Sequence, residues 1–424
     1  MPELNFKPGD SVRLRLAKEE LDGIALESHD NSIVLLKLNS GYNVGIQKEN
    51  ILAGRILKKS NEEKKEYPPF EKKNLPKVGL IITGGTIASK MNAKTGGVAP
   101  LTDINELANF YPEMLNIANI KKIEMPFLIA SESMSSEHWI AIAECTKKLL
   151  DDEEIKGVII THGTDTLHYT SAALSFFLTN LNKPVILTYS QKSIDRASSD
   201  ANLNLQCSAK FALSDCAEIV IVGHASSNDD FCVALRGTKV RKLHTSRRDA
   251  FKSVNENPIA KIWPEKIEFL EKCKTRNNNK PELDASFTDK VALIKFYPGQ
   301  DPSILDYHAL KYKGIIIEAG GLGQLPASDS KNSWIPKIKK HIKEGLVVCI
   351  TSQSIFGRVD PYVYSNAREL LDAGAIFLED MLSETALVKL GWVLGHYGWK
   401  AHVKEKMLEN IAGEFNDRLE FKSQ

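Results

Sequence analysis

Apolar residues along this chain follow three successive rhythms. From Phe6 to Leu57 they form short alternating runs, VRLRL, GIALES, SIVLLKL, YNVGI and ILAGRIL. Turn residues such as His29-Asp30-Asn31-Ser32 and Asn39-Ser40-Gly41 separate them. Five short strands in so few residues predict a small antiparallel barrel of SH3-like scale, whose expected role is docking. The stretch Lys58–Pro76, KKSNEEKKEYPPFEKKNLP, is charge-rich and carries a Pro-Pro pair, the signature of a solvated linker. From Lys77 the pattern changes to apolar strands alternating with amphipathic helices. The strands are VGLII, GVIIT, PVILT and EIVIV; the helices lie around His138–Leu150, Thr166–Leu178 and Asp200–Leu213. This rhythm predicts a doubly wound parallel α/β sheet. After the polar stretch Thr275–Asp289 come VALIKF, GIIIEA and LVVCIT with helices between, a smaller α/β lobe. The expected organisation is a barrel over 1–60, a linker over 61–76, one α/β domain over 77–280 and a second over 281–424.

Composition narrows the class. The 424 residues are 42% hydrophobic and 26% charged, with a formal net charge of +1, so no global field draws the chain to a polyanion or a membrane. The six cysteines are scattered without a C-x-x-C pair, which fits reduced thiols in a cytoplasmic protein. The start MPELNFKPGDSV lacks a signal-peptide core, and no apolar run approaches membrane-spanning length. A cytoplasmic protein is expected.

Chemistry concentrates where strands end. KVGLIITGGTIAS (Lys77–Ser89) is a buried-type strand followed by a double glycine and Thr86. Glycines there let backbone N–H groups approach a ligand, and in open α/β sheets ligands sit at that edge. Neither G-x-G-x-x-G nor G-x-x-x-x-G-K-[ST] is present, so this is not a standard phosphate loop. The polar, glycine-rich Lys90–Pro100 that follows suits a lid. A second strand, GVIIT, ends in His162-Gly163-Thr164-Asp165-Thr166, with Asp165 or Thr166 placed to cap the next helix. Hydroxyls at both turns and a carboxylate at one could supply a nucleophile, a positioner and an orienter. A threonine hydroxyl needs a base, and the segment RGTKVRKLHTSRRDAFK (Arg236–Lys252) holds candidate lysines, although taken alone it is an ordinary basic loop. His162 and His224 follow strands and are read as structural. No His/Asp/Glu spacing suggests a metal site.

TGGTIAS (Thr83–Ser89), ASESM (Ala130–Met134), HGTDT (His162–Thr166) and the K-x-x-T-x-x-x-x-A-F run Lys242–Phe251 resemble the bacterial-type L-asparaginase family. The resemblance implies catalytic roles for Thr86, Thr164, Asp165 and Lys242, with Lys239 the runner-up lysine and the order of threonine attack open. It implies substrate binding by Gly85, Gly163, Ser131 and Glu132; the position of Glu132 is commonly glutamine in secreted members. The family's lid tyrosine has no match here. GIIIEAGGLGQLP (Gly314–Pro326), the Thr351–Gly374 segment and ETALVKLGWVLGHYG (Glu384–Gly398), with the barrel and linker in front, resemble the D-subunit family of archaeal-type glutamyl-tRNA(Gln) amidotransferases. That likeness implies hydrolysis of glutamine or asparagine on a homodimer core. The ammonia would pass to a partner E-subunit in a heterotetramer, for amidation of γ-phosphorylated Glu-tRNA(Gln). ATP and Mg are expected on the partner and no cofactor in this chain, with Glu-tRNA(Gln) held mainly by the partner. Two alternatives stand beside it: a free-standing cytoplasmic L-asparaginase with an accessory domain, and a catalytically silent scaffold.

Overall fold

The computed structural model describes residues 5–26, 28, 30, 32–38, 43–59, 74–91, 98–100, 113–193 and 199–419. Its three main sheets correspond to the three sequence rhythms. The first comprises β1 (Ser11–Arg15), β2 (Glu20–Leu26), β3 (Ile33–Leu38), β4 (Asn43–Gln47) and β5 (Ala53–Lys58). They pair antiparallel in the order β4-β3-β2-β1-β5. Alternate residues Val12, Leu14, Ala25, Val34, Leu36 and Ile46 build its core, as a period of two requires. Most of the expected linker lies outside the described residues.

The second sheet carries β6 (Lys77–Ile82), β9 (Asn119–Glu124), β10 (Ile155–Thr161), β12 (Val185–Thr188) and β13 (Ile219–His224), all parallel. Their spatial order is β9-β6-β10-β12-β13, so the winding reverses between β6 and β10. The carboxyl ends of those two strands flank the crevice in which doubly wound sheets bind ligands. Both faces of the sheet are covered. Val78, Leu80 and Ile82 pack with Leu205 and Phe211 of helix α3 (Ala201–Ala212). Ile81, Val158 and Ile160 pack with α1 (Ser136–Leu150) and α2 (Leu167–Phe177). Two-sided burial is why these strands are continuous apolar runs without alternation.

Four elements of this sheet were not legible. β9 is an edge strand whose NIKKIE sequence exposes Lys121 and Lys122, a composition that blunts edges and hides a strand from an apolar count. Beyond β13 the sheet continues with antiparallel β14 (Cys232–Arg236), β17 (Ala260–Ile262) and β18 (Ile267–Phe269), two of them only three residues long. Short hairpins surround it. β7 (Ser89–Met91) pairs with β8 (Val98–Pro100) at the two ends of the expected lid, residues 92–97 lying outside the described ones. β11 (Leu178–Thr179) pairs with β19 (Glu282–Leu283), and β15 (Val240–Lys242) with β16 (Phe251–Ser253).

The third sheet is wholly parallel, in the order β20 (Val291–Lys295), β21 (Gly314–Ala319), β22 (Val347–Ser352), β23 (Ile376–Phe377). Helices α4 (Ile304–Lys311), α5 (Ile335–Lys343) and α6 (Ser365–Asp372) supply Leu305, Ile338 and Leu370 to the core on one face. The other face receives α7 (Ser383–Gly395), which also packs on α2 of the preceding lobe. Trp392 of α7 stacks on Phe176 of α2 at 5.8 Å and is 3% exposed, whereas Tyr397 is 92% exposed. One apolar core therefore runs through both lobes. Among the described residues no helix is long and apolar enough to cross a membrane.

Candidate active site

Three loops meet at the carboxyl ends of β6 and β10. The strand β6 hands over to its turn through Thr83, buried, whose N–H and Oγ1 both donate to Thr161 O at the end of β10 (3.3 and 2.8 Å). Thr83 O accepts from the N–H of Ile129, which ties in the Ala130–Met134 loop. Gly84 and Gly85 then turn with φ of +115° and +79°, in the left-handed region that glycine enters without steric penalty. A Cβ on Gly85 would lie 2.5 Å from Gly163 N, so the first threonine loop is laid directly on the second. Thr86, half-buried, opens a single 3₁₀ turn over Thr86–Ala88, closed by Ala88 N–H donating to Gly85 O (3.1 Å). Ser89 Oγ also donates to Gly85 O, at 2.7 Å.

On the β10 side, Ser131 organises the turn. Its Oγ accepts from the backbone N–H of Asp165 (3.1 Å) and its carbonyl accepts from Thr166 Oγ1 (2.7 Å). Thr166 occupies the N-cap position of α2, but no side chain caps that helix. The capping expectation for Asp165 or Thr166 is corrected accordingly: the Thr166 hydroxyl is drawn off to the Ser131 loop and the Asp165 carboxylate to a lysine. Gly163 leaves room for Ser131, since a Cβ there would sit 2.8 Å from Ser131 Oγ. Ser131 is buried and Glu132 exposed.

The lysine arrives on the hairpin β15–β16. Lys242 Nζ donates to Thr164 Oγ1 at 2.8 Å and to Asp165 Oδ1 at 2.7 Å. Its side chain is 11% exposed while that of Asp165 is 61% exposed, so the cluster is dry on the lysine side and open beyond the carboxylate. Lys239, three residues earlier, goes elsewhere: it is fully buried against Asp380 Oδ2 at 2.6 Å. Registers explain the split. Lys242 is the last residue of β15, opposite Phe251, whereas Lys239 lies before the strand and faces the C-terminal lobe.

The histidines stay out of acid–base work at this point. Buried His162 donates from Nδ1 to Gly163 O (2.7 Å), which leaves Nε2 to accept from Thr170 Oγ1 (2.8 Å). Burial pulls its pKa down to about 4. His168 falls to about 3, mainly through burial and then through the nearby Arg241 and Lys242 cations. His224 is buried between Asn204 Oδ1 (2.6 Å) and Asp229 Oδ1 (2.9 Å). The basic segment around Lys242 is largely neutralised in place. Arg241 pairs with Glu384 (3.0 Å), Arg247 with Asp249 (2.9 Å) and Arg248 with Asp229 (3.0 Å). A hydroxyl, a lysine nitrogen and a carboxylate in contact, with a second hydroxyl-bearing loop packed on them, can pass a proton from a nucleophile and hold it when the lysine is a free amine. The Glu384 contact escaped sequence reasoning, because nothing in the pattern links it to a lysine strand more than a hundred residues away.

Residues 77–275 match the family described as Asparaginase, N-terminal, residues 290–407 the Glutaminase/Asparaginase C-terminal domain, and residues 6–56 the GatD N-terminal domain. Among curated relatives, the glutamyl-tRNA(Gln) amidotransferase D-subunit of Pyrococcus abyssi is 46% identical over 99% of this chain and 98% of its own length. That of Pyrococcus furiosus is 47% identical over 98% and 96%. Among solved structures, the thermostable L-asparaginase from Thermococcus kodakarensis superposes with a TM-score of 0.73 at 31% identity, covering 81% of this chain and all of its own. Likeness over the whole length, barrel included, separates this chain from asparaginases that match only four-fifths of it. The chain belongs to the D-subunit family of glutamyl-tRNA(Gln) amidotransferases, built on an asparaginase-type amidohydrolase fold.

Proposed function

We propose that the chain is the ammonia-releasing amidohydrolase component of a tRNA-dependent amidotransferase, and that Thr86, Thr164, Asp165 and Lys242 carry the chemistry. The observation behind this reading is the contact of Lys242 Nζ with both Thr164 and Asp165, beside the loop in which Gly85, the residue before Thr86, is laid on Gly163. In this reading the Thr86 hydroxyl attacks the side-chain amide carbon of glutamine or asparagine. The C–N bond breaks, ammonia leaves with the proton, and an ester to Thr86 remains. Backbone N–H groups of the Gly84–Thr86 turn face the developing oxyanion, where fixed dipoles are worth most. Water, giving its proton through the Thr164 hydroxyl to Lys242 in its free-amine form, then attacks the ester, and the Thr86 oxygen leaves with that proton. Asp165 keeps Lys242 oriented throughout, and loss of any member is expected to be costly and non-additive. Ser131, Glu132, Gly85 and Gly163 form the wall for the amino acid: an anionic Glu132 suits the α-ammonium, and the Ser131 turn the carboxylate.

The wider assembly follows from the same reading. Ammonia passes to a partner E-subunit in the cytoplasm, where ATP and Mg serve the amidation of Glu-tRNA(Gln). Two copies of this chain form the core, closing the side on which Asp165 is open. The test is reconstitution with the E-subunit and misacylated Glu-tRNA(Gln). Glutamine-dependent amidation is expected, and Thr86→Ala should abolish it while leaving amidation from free ammonia. Retained glutamine use in Thr86→Ala would end the assignment. Brisk asparagine hydrolysis by the chain alone, indifferent to partner and tRNA, would favour a free-standing asparaginase.

A further inference from the structure

Lys242 ends a strand of only three residues, and so short a strand is held by its neighbours rather than by its own ladder. Three cations crowd here within four positions, Lys239, Arg241 and Lys242, and each has one carboxylate. Lys239 meets Asp380 at 2.6 Å, Arg241 meets Glu384 at 3.0 Å, and Lys242 meets Asp165 at 2.7 Å. Two of these carboxylates come from the C-terminal lobe, Asp380 just before α7 and Glu384 in its first turn. Thr385 Oγ1 donates to Thr238 O (2.9 Å), so the same turn also grips the backbone leading into β15. Asp380 is itself fixed, accepting from the backbone and side chain of Asn416 at 3.1 and 2.8 Å.

We propose that Glu384 is a positioning residue for Lys242: by engaging Arg241 it leaves Asp165 to the Lys242 ammonium and sets the strand that aims it at Thr164. Neighbouring residues on a strand point to opposite faces, so anchoring Arg241 on the lobe side orients Lys242 toward the site. Without Glu384, Arg241 becomes an unmatched cation beside Lys242 and competes for the open Asp165 carboxylate. Glu384 is 8% exposed, and burial pushes its carboxyl pKa up while the Arg241 guanidinium opposes that rise. Its second oxygen, Oε2, is buried with no hydrogen-bond partner among the described residues. A buried carboxylate left half-satisfied is poorly suited to a purely structural task and calls for another explanation. His168 lies near, its Nε2 4.0 Å from Glu384 Oε1, but burial and the two cations keep it neutral, so it supplies no charge of its own.

The proposal rests on reading Lys242 as part of the catalytic unit, and the experiment separates the two. Glutamine hydrolysis is measured on the full chain assembled with its partner, for Glu384→Gln, Arg241→Gln, the double variant and Lys242→Met, with thermal unfolding alongside. Each of the two single changes should lower kcat about tenfold with KM held within about twofold, since small misplacements of a reacting group act on rate. The double variant should be no slower than the slower single, and Glu384→Asp should recover part of the rate. If Glu384→Gln does not fold, Arg241→Gln, on a side chain 26% exposed, carries the same test. Unchanged kcat in the single variants while Lys242→Met is inactive overturns the positioning role alone. An active Lys242→Met overturns the site reading beneath it. A parallel fall in kcat, KM and melting temperature, without rescue by Glu384→Asp, assigns the pair to structure and defeats the proposal.

Discussion

The two α/β lobes offer the same raw material and use it differently. Each has a parallel sheet whose strand ends in a double glycine, Gly84-Gly85 after β6 and Gly320-Gly321 after β21. In the first lobe the glycines are where loops collide: added Cβ atoms would meet Ile129 O at 2.4 Å and Gly163 N at 2.5 Å. In the second, a Cβ on Gly321 would meet nothing within 4 Å among the described residues. The polar groups of the second turn are spent locally, Gly320 N–H on Gln324 O (3.0 Å), Ser352 Oγ on Gly321 O (2.6 Å) and Gln353 N–H on Ala319 O (2.9 Å). Those of the first tie it to neighbouring elements, Thr83 to Thr161 O and to the N–H of Ile129. The Gly163 loop on which Gly85 is laid carries the Thr164 and Asp165 that meet the Lys242 ammonium. A glycine pair at a strand end marks an opportunity; convergence of several loops at a reversal in strand order makes the site.

The hardest blow to this contrast is aimed at the ammonium. Lys242→Met should lower kcat for glutamine hydrolysis by a thousandfold or more, about 4 kcal/mol in barrier, with little change in melting temperature, because its partners Thr164 and Asp165 reach water when it is gone. Steady-state kinetics beside a thermal scan would decide. Lys239→Met should do the reverse. It strands the fully buried Asp380, which costs about 3–5 kcal/mol of stability. The denaturant midpoint should fall, and adding Asp380→Asn should restore part of it. If Lys239→Met instead lost rate at full stability, the division of labour between the two lysines would be wrong.

Much of this was open to sequence reasoning, for identifiable reasons. Two-sided burial makes β6, β10, β12 and β13 into uninterrupted apolar runs, so the threonine turns could be placed at strand ends directly. β9 escaped because an edge strand is protected by its lysines, and β14, β17 and β18 because reversing direction leaves no helical interval to count. Within the site, TGGT and HGTDT stand out by type and position. That Lys242 rather than Lys239 reaches Thr164 depends on the register of a three-residue hairpin strand, which periodicity does not encode; the choice of Lys242 rests on the K-x-x-T-x-x-x-x-A-F run of the family resemblance. The same holds for the Thr166 hydroxyl, which a capping rule assigns to its own helix. Its actual acceptor, Ser131 O, is supplied by a loop thirty-five residues earlier.

A smaller effect separates the lobes by pH. His162 lies under the catalytic turn with its folded pKa near 4 against an ordinary 6.5. The unfolded chain therefore binds this proton first, and stability falls as pH drops from about 6.5 toward 4, below which the folded state takes it up too. The integrated loss is on the order of 3 kcal/mol for this fully buried ring. Urea midpoints measured between pH 7 and 4 should show that slope added to the one from buried His168, whose pKa is pulled down to about 3, and His162→Asn should remove only the His162 share. A variant with the wild-type slope would show that the acid sensitivity resides elsewhere.

The smallest effect tests the glycine comparison itself. Gly85→Ala forces a methyl into the Gly163 backbone, with no flexible side chain to yield, so the two threonine loops must part. Turnover should fall about a hundredfold, roughly 2.7 kcal/mol in barrier. Gly321→Ala has open space and bears only the left-handed conformation at φ +46°, which costs an L-residue about 1–2 kcal/mol. Its kcat and KM should match the parent enzyme, with only a modest drop in melting temperature. Equal damage to turnover from both substitutions would mean that the second glycine edge also faces the reaction, and that the C-terminal lobe gives the site more than support.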